Sequence, residues 1–522
     1  MKLLYLLKGF IIFTLIANIH NASSQNWVVN YQKISNTEGN FGNNLSAGDS
    51  FGHSLDSIGD INGDGVTDAI VTAFGDDQMG ADMGALYVLK MNIDGTVKSY
   101  TKITKNLNGF TGNIESGDIF GSGFAAIGDY NNDGFYDVAV GAEYDNDGGP
   151  WNGAIYLLSL DTSGNVLSNQ KISATTGGFT GVLTGSPAFG TDIANIGDLN
   201  GDGITDLAVG SRRDNDGGSK KGAVWILFMN ADGTVNHQSK ISNLQGNFTA
   251  NLDIEDYFGV SVEYLGDYNN DGYIELAVGS HFDDDGGAEK GAIYILSIDT
   301  NGLVVNYSKI SDMSAGFSGT LSSGDKFGIS IAKIGDLDND GVVDIAVGAY
   351  RDNTAGIDAG AFYILYLNAN GTVKSHIKIT ENFDGFNGDL DAGDLFGMAL
   401  SSVGIYNGFF TLMVGTRLDD DGATDAGAAY MLFLRGQVTD DINNIVLTKD
   451  FIYNNPIQDV LFLRTEAKNS IFYLYDAGGK LIKQTTLEDG NLNMNVSNLP
   501  KGFYVGVVEN KSFRKSIKLI IE

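Results

Sequence analysis

Six Phe-Gly pairs, beginning at Phe51, Phe120, Phe189, Phe258, Phe327 and Phe396, recur at an unbroken interval of 69 residues. An interval this long and this strict marks a repeat architecture, in which each unit hides its apolar face only against its neighbours. Nine residues after each of the first five phenylalanines a new motif opens: DINGDGVTD, DYNNDGFYD, DLNGDGITD, DYNNDGYIE and DLDNDGVVD. Oxygen-bearing side chains stand at loop positions 1, 3, 5 and 9, with glycine at position 6.

Each unit is expected to form four short strands. In the second unit these are Phe120–Ile127, Asp137–Ala142, Ala154–Leu160 and Val166–Ser173, rich in Val, Ile and Tyr and bounded by Gly, Asn and Asp. The fourth strand ends in Lys-Ile-Ser/Thr, with its lysine at 33, 102, 171, 240, 309 and 378. The first copy, within Trp27–Ser35, precedes any Phe-Gly pair, whereas the sixth unit stops after its third strand, Ala429–Leu434. A solenoid has no use for that exchange, but a closed ring does, because the first strand completes the last sheet and removes an exposed edge. The expected fold is therefore all-β: a six-bladed β-propeller over 25–436, closed by its N-terminal strand. A small C-terminal β-sandwich over 437–522 follows, where the register ends and the composition changes. Alternating connections place the acidic loops on one face and the longer, more variable loops on the other, where binding usually resides.

The acidic loops have the donor pattern of a calcium cage. The expected ligands are Asp60, Asn62, Asp64, Val66 and Asp68; Asp129, Asn131, Asp133, Phe135 and Asp137; Asp198, Asn200, Asp202, Ile204 and Asp206. The fourth and fifth loops supply Asp267, Asn269, Asp271, Tyr273 and Glu275, then Asp336, Asp338, Asp340, Val342 and Asp344. Val66, Phe135, Ile204, Tyr273 and Val342 would contribute backbone carbonyls. An EF-hand would carry an acid at position 12, where these loops have valine, and a helix where a strand follows, so the EF-hand is rejected and calcium retained. In the sixth unit Ile405 and Phe409 stand at the first and fifth places, so about five calcium sites are expected.

The net charge is −33, and 16 of the carboxylates lie inside the five loops. Bound divalent ions would offset part of this charge, and such a surface repels phosphate backbones, which argues against nucleic-acid binding. With no cysteine, disulfides and thiolate chemistry are excluded. Lys2 and Lys8, an apolar run from Gly9 to Ile19 and the small residues Ala22, Ser23 and Ser24 predict a secretory signal peptide over 1–24. No later segment is long or apolar enough to cross a bilayer.

The Phe-Gly pairs, the DxDxDG-type loops and the following Val-Gly-Ala/Ser resemble FG-GAP repeats of integrin α-subunit propellers and their bacterial relatives. The resemblance spans roughly Asn26 to Gly436 and implies cation-bearing blades and an extracellular protein or polysaccharide ligand. Two departures stand out. Integrin propellers have seven blades, and the proline of the Gly-Ala-Pro half is replaced by Glu143, Arg212, His281, Tyr350 and Arg417 in turn. The tail resembles the type A C-terminal sorting domain of type IX secretion in Bacteroidetes. It does so through Asn455-Pro456, Tyr475-Asp476 with Gly478-Gly479-Lys480, Leu499-Pro500 with Gly502 and Tyr504, and Arg514, Lys515 and Lys518. That implies contact with the secretion machinery, passage through a Gram-negative periplasm, and release or display at the cell surface.

Catalytic signals are weak. Gly48-Asp49-Ser50-Phe51-Gly52 matches a nucleophile-elbow pattern, but Ser50 aligns with Ile119, Ala188, Tyr257, Lys326 and Leu395, a variable position. No histidine pair has metal-ligand spacing. The expected function is a non-enzymatic, calcium-binding adhesion or ligand-capture protein; a glycan-active enzyme or accessory subunit of polysaccharide utilisation is the alternative. The acids Asp145/Asp147, Asp214/Asp216, Asp283/Asp285 and Asp419/Asp421, near Asp118, Asp256, Asp325 and Asp394, are expected either to form a solvated rim or to receive a partner.

Overall fold

The computed structural model describes residues 26–435 except 43, 132, 339 and 407, together with 445–447, 452–454, 460–464, 470–476, 480–487, 491–509 and 514–521. The predicted leader, Asn455-Pro456 and Gly478-Gly479 lie outside the described residues. Six four-stranded antiparallel sheets follow one another along residues 28–434 and form a six-bladed β-propeller. In the second blade the strands are Phe120–Gly128, Tyr136–Ala142, Ala154–Leu160 and Val166–Ser173, within two residues of the sequence expectation.

Closure is as the displaced Lys-Ile-Ser strand demands. Val28–Ile34 pairs antiparallel with Ala428–Leu434, matching Val28 with Leu434 and Ile34 with Ala429. Backbone bonds stitch each blade to the next: Gly117, Ile119 and Phe120 donate to the carbonyls of Ala81, Asp82 and Met83 at 2.9, 3.2 and 3.0 Å. The same set joins the sixth blade to the first, through Gly48, Ser50 and Phe51 on Thr424, Asp425 and Ala426. Ser50 is thus a turn residue at φ 55°, and Ile119, Ala188, Tyr257, Lys326 and Leu395 share its left-handed conformation. That position serves the backbone.

The apolar core lies between blades. Ile58, Ile70, Leu86 and Val88 of the first blade pack with Phe120, Val138 and Tyr156 of the second. Phe110 stacks on Phe120 at 4.8 Å, and both meet Tyr156 edge-on at 5.6 and 5.7 Å; Phe386, Phe396 and Tyr430 repeat the arrangement four blades on. Glycine is required beside the Phe-Gly pair. Gly153 (φ +83°) bridges Phe189, and a Cβ there would lie 2.0 Å from the Phe189 carbonyl oxygen.

The sixth blade departs at one point. Leu400–Tyr406 and Phe409–Thr416 are joined by a two-residue Asn-Gly link with Tyr406 opposite Phe409. The Tyr406 hydroxyl donates to the Thr67 carbonyl, so this blade braces the acidic loop of the first. In the tail, two further four-stranded sheets share a core of Leu461, Leu463, Phe472, Leu474, Val508 and Leu519, a β-sandwich as expected.

Candidate functional site

At their described residues the five acidic loops share one pattern of backbone hydrogen bonds. The first aspartate accepts backbone N–H bonds along the turn: Asp60 Oδ1 from Gly63 and Asp64 at 2.8 and 3.0 Å, and Asp60 Oδ2 from Gly65 at 2.7 Å. Asp129, Asp198, Asp267 and Asp336 each take the same bond from the position-6 glycine. The position-5 aspartate accepts from the position-7 N–H at 2.9–3.0 Å, which sets the backbone of Val66, Phe135, Ile204, Tyr273 and Val342. These loops lie beside the turns between third and fourth strands: Lys98 and Lys374, just after such turns, reach Asp64 at 2.8 Å and Asp338 and Asp340 at 2.7 and 2.8 Å.

The position-9 acids are buried: Asp68, Asp206 and Asp344 at 0% and Asp137 and Glu275 at 1% exposure. Asp68, Asp206 and Asp344 accept N–H bonds from Met91, Met229 and Leu367 on the third strand, while Glu275 takes the Ser297 hydroxyl. Burial is the largest cause that pushes Asp68, Asp137 and Asp206 up to about 6, and Glu275 and Asp344 up to about 7, reinforced by neighbouring loop carboxylates. A divalent cation is the group that would relieve this crowding. Carboxylate oxygens of Asp129, Asp133 and Asp137 lie within 4.8 Å of one another, as do those of Asp336, Asp338 and Asp340. Asp137 Oδ1 is buried without a partner. All-oxygen donors at that spacing suit a hard cation such as calcium. Asn62 donates to Asp68 and Asn269 to Glu275, so position 3 faces position 9 in those loops.

The second set of acids corrects the expectation of an open rim or landing surface. Asp145, Asp214, Asp283 and Asp419 are at most 3% exposed. Each is ion-paired to the lysine of its blade's Lys-Ile-Ser strand: Lys171–Asp145 at 2.8 Å, Lys240–Asp214 at 2.8 Å, Lys309–Asp283 at 2.6 Å and Lys33–Asp419 at 2.7 Å. Asp147, Asp216, Asp285 and Asp421 join the same lysines at 2.8–3.5 Å. Asp76 and Asp352 meet Lys102 and Lys378 likewise. An aromatic ring supports each ammonium, for example Tyr156 at 5.6 Å and Trp225 at 5.1 Å. Asp118, Asp256, Asp325 and Asp394 are buried too, each closing its loop by accepting an N–H three residues before it.

The inner strands surround a cavity of about 850 Å³. Its lining includes the residues at the former proline position (Phe74, Glu143, Arg212, His281, Tyr350 and Arg417), one from every blade. Arg212 makes a bidentate pair with Glu143 at 2.8 and 2.9 Å, and the Thr191 hydroxyl completes that carboxylate at 2.7 Å. On the first strands of their blades, Asp56, Asp192 and Glu263 make another part of the lining acidic.

An FG-GAP repeat model matches residues 120–158 and 189–227, and a secretion system C-terminal sorting domain model matches 451–522. Integrin alpha-6 of Gallus gallus is 33% identical over 207 residues, covering 39% of this chain and 16% of its own. The chain carries FG-GAP repeats and a type IX sorting tail. Integrin alpha-PS5 of Drosophila melanogaster is 33% identical over 31% of this FG-GAP chain and 15% of its own. The chain thus spans about one sixth of the length of these integrin relatives. PorZ, a surface component of the type-IX secretion system of Porphyromonas gingivalis, covers 87% of this chain and 64% of its own at a TM-score of 0.27 and 12% identity, too distant to bear on fold or function. The sorting domain assigns the FG-GAP chain to secretion or the cell surface. Among the described residues no helix is long and apolar enough to cross a membrane.

Sequence reasoning registered both the six lysines and the paired aspartates without joining them. The usable signal was a constant offset: 26 residues separate Asp145 from Lys171, Asp214 from Lys240 and Asp283 from Lys309.

Proposed function

We propose that this is an exported, calcium-stabilised propeller that captures an extracellular ligand on its loop-rich face and performs no catalysis. The observation that carries it is the separation of roles between faces. Five acidic loops in one register crowd buried carboxylates on one face, a structural task for bound cations. The opposite face holds the longer and more varied connections and opens onto the axial cavity. The 25 ligand residues named from the sequence are assigned to five calcium ions. Residues 1–24 are taken as the leader, 25–436 as the binding propeller and 437–522 as the sorting domain.

The resemblance to integrin α-subunits supports adhesion or ligand capture as the class of activity, and the sorting tail supports delivery to where such ligands are met. The test is a screen of the purified mature chain against extracellular polysaccharides and matrix proteins, with and without calcium. Saturable binding without turnover is expected. Conversion of any glycan by the purified chain would overturn the non-enzymatic reading. So would binding abolished by substitutions on the acidic-loop face in a protein whose melting temperature is unchanged.

A further inference from the structure

Six positions in the repeat register meet around one end of the axial cavity, and there the repeats diverge in chemistry. Phe74, Glu143, Arg212, His281, Tyr350 and Arg417 occupy equivalent places, while the flanking Phe-Gly pairs and lysines are kept in all six. Divergence at a position facing a shared cavity is what ligand recognition would produce, since scaffold needs are equal in every blade.

The charge at this mouth is unbalanced, in a chain of net charge −33. Glu143 is consumed by Arg212 and Thr191. Arg417 has no carboxylate partner among the described residues. Its guanidinium meets His53 Nδ1 at 3.4 Å and the Phe74 ring, 5.5 Å from the guanidinium carbon, and its Nε is buried with no partner. Burial, Arg212 and Arg351 together lower its affinity for its proton, an electrostatic load that an anion would relieve. His281, 3% exposed, also leaves Nδ1 without a partner, and burial with the neighbouring cations keeps it neutral.

Aromatic surface frames these groups. Trp151, 44% exposed, stacks on Tyr144 at 5.2 Å, and the Arg213 guanidinium lies 5.1 Å from its ring. His281 lies between Tyr257 and Tyr350, at 5.7 and 6.5 Å. The exposed part of the indole offers apolar surface to a sugar ring, and a guanidinium offers paired donors to a carboxylate. The cavity, about 850 Å³, is within the size range of small-ligand sites. Besides the paired Glu143, the acid lining it near the mouth is Asp82, while Asp56, Asp192 and Glu263 lie deeper.

We infer that the axial mouth binds an acidic saccharide, with Arg417 holding a uronate carboxylate and Trp151 packing on the sugar ring. This rests on the proposed role of the loop-rich face as the ligand surface and names the ligand class.

The test is calorimetric titration of the calcium-loaded full chain with oligogalacturonate, its methyl ester, a sulfated oligosaccharide and polyglutamate. Binding of the free uronate and loss of binding to the ester are expected. Arg417→Gln should weaken binding at least about tenfold, the loss of one buried charge-assisted contact. It should leave the melting temperature unchanged or raised, because it removes a half-buried cation that has no carboxylate partner. Trp151→Ala gives the same reading on an exposed residue should Arg417→Gln not fold. Equal affinity for ester and acid, an undiminished affinity in both variants, or tighter binding of polyglutamate or the sulfated sugar would overturn the inference. Failure of every acidic probe, with a neutral glycan or matrix protein still held by the loop-rich face, would overturn this inference and leave the proposed function standing.

Discussion

Two rings of carboxylates on one propeller are neutralised in different ways. In the 2-to-3 loops the chain supplies its own counter-ion: Lys240, 6% exposed, pairs with the fully buried Asp214 and also reaches Asp216. In the acidic loops the chain supplies backbone N–H groups but few cations. Among the described residues only the first and fifth receive a lysine, and both lysines are largely exposed, Lys98 at 53% and Lys374 at 41%. Acids at the same 69-residue spacing therefore have opposite demands. One ring is complete within the chain, and the other leaves buried charge for an outside cation. The sixth blade sharpens the contrast, since it builds the same sheet around an Asn-Gly link with no acids. The cation loops are an addition to the blade and not a condition for forming it.

Calcium removal should have the largest effect. At about 2 mM calcium and dissociation constants on the order of 10⁻⁴ M, each filled loop contributes ~1.8 kcal/mol, so five contribute on the order of 9 kcal/mol. Chelation should lower the melting temperature steeply, and Asp198→Ala should remove one bound ion. An identical melt in EDTA would place both rings in the self-sufficient class and erase the comparison.

Next in size is Lys240→Met, which strands Asp214 and Asp216 with no counter-ion in a buried setting. Breaking such a pair costs about 3–5 kcal/mol. Denaturant unfolding should show this loss equally in calcium and in EDTA, because the lysine ring owes nothing to the metal. A loss seen only in calcium would mean that the two rings are coupled.

The legibility of the molecule follows the distance over which each feature is encoded. Blade count, strand positions, ring closure and the acidic loops rest on patterns within one period or on exact recurrence, and each can be read along the chain. The Phe-Gly pair is legible because its glycine is held at positive φ: Gly190 stands at +90°, where a Cβ would lie 2.7 Å from the Ala154 carbonyl oxygen. The lysine ring is not legible along the chain because Asp145 meets Lys171 only after the third and fourth strands pair, with Tyr156 opposite Lys171. Charge density alone suggested an open rim, whereas sheet register makes it a buried ion pair. The axial mouth was visible only as a missing proline. That Glu143, Arg212, His281, Tyr350 and Arg417 line one cavity is a consequence of closing the ring.

A third group of acids belongs to neither ring and gives a pH signature. Burial is the leading cause that pushes Glu263 up to about 8 and Asp192 up to about 7, against backbone bonds that lower both. Both line the axial cavity. The folded chain then holds protons that the unfolded chain has released. This contribution to stability is fully present below about 4 and is lost as pH rises through about 7 to 8. Allowing for cavity water, Glu263→Gln should add ~1–2 kcal/mol at pH 8 and almost nothing at pH 4. Melts across that range would check it, and an equal gain at both ends would dissociate the effect from titration.

The smallest effect tests the comparison within a single ring. Lys374 bonds to Asp338 and Asp340 at 2.7 and 2.8 Å, and both aspartates are expected calcium ligands. An ammonium there competes for the same oxygens, so the fifth loop should bind calcium more weakly than the third, for which no lysine contact is found. Because Lys374 is exposed and screened by salt, replacing it with alanine should raise the affinity of that loop only about two- to fivefold. Titration of the chelated protein at low and high salt would resolve the change, which should shrink as salt rises. Unchanged affinity would mean that Lys374 swings clear when the ion arrives, and that the fifth loop lacks an internal counter-ion as fully as the third.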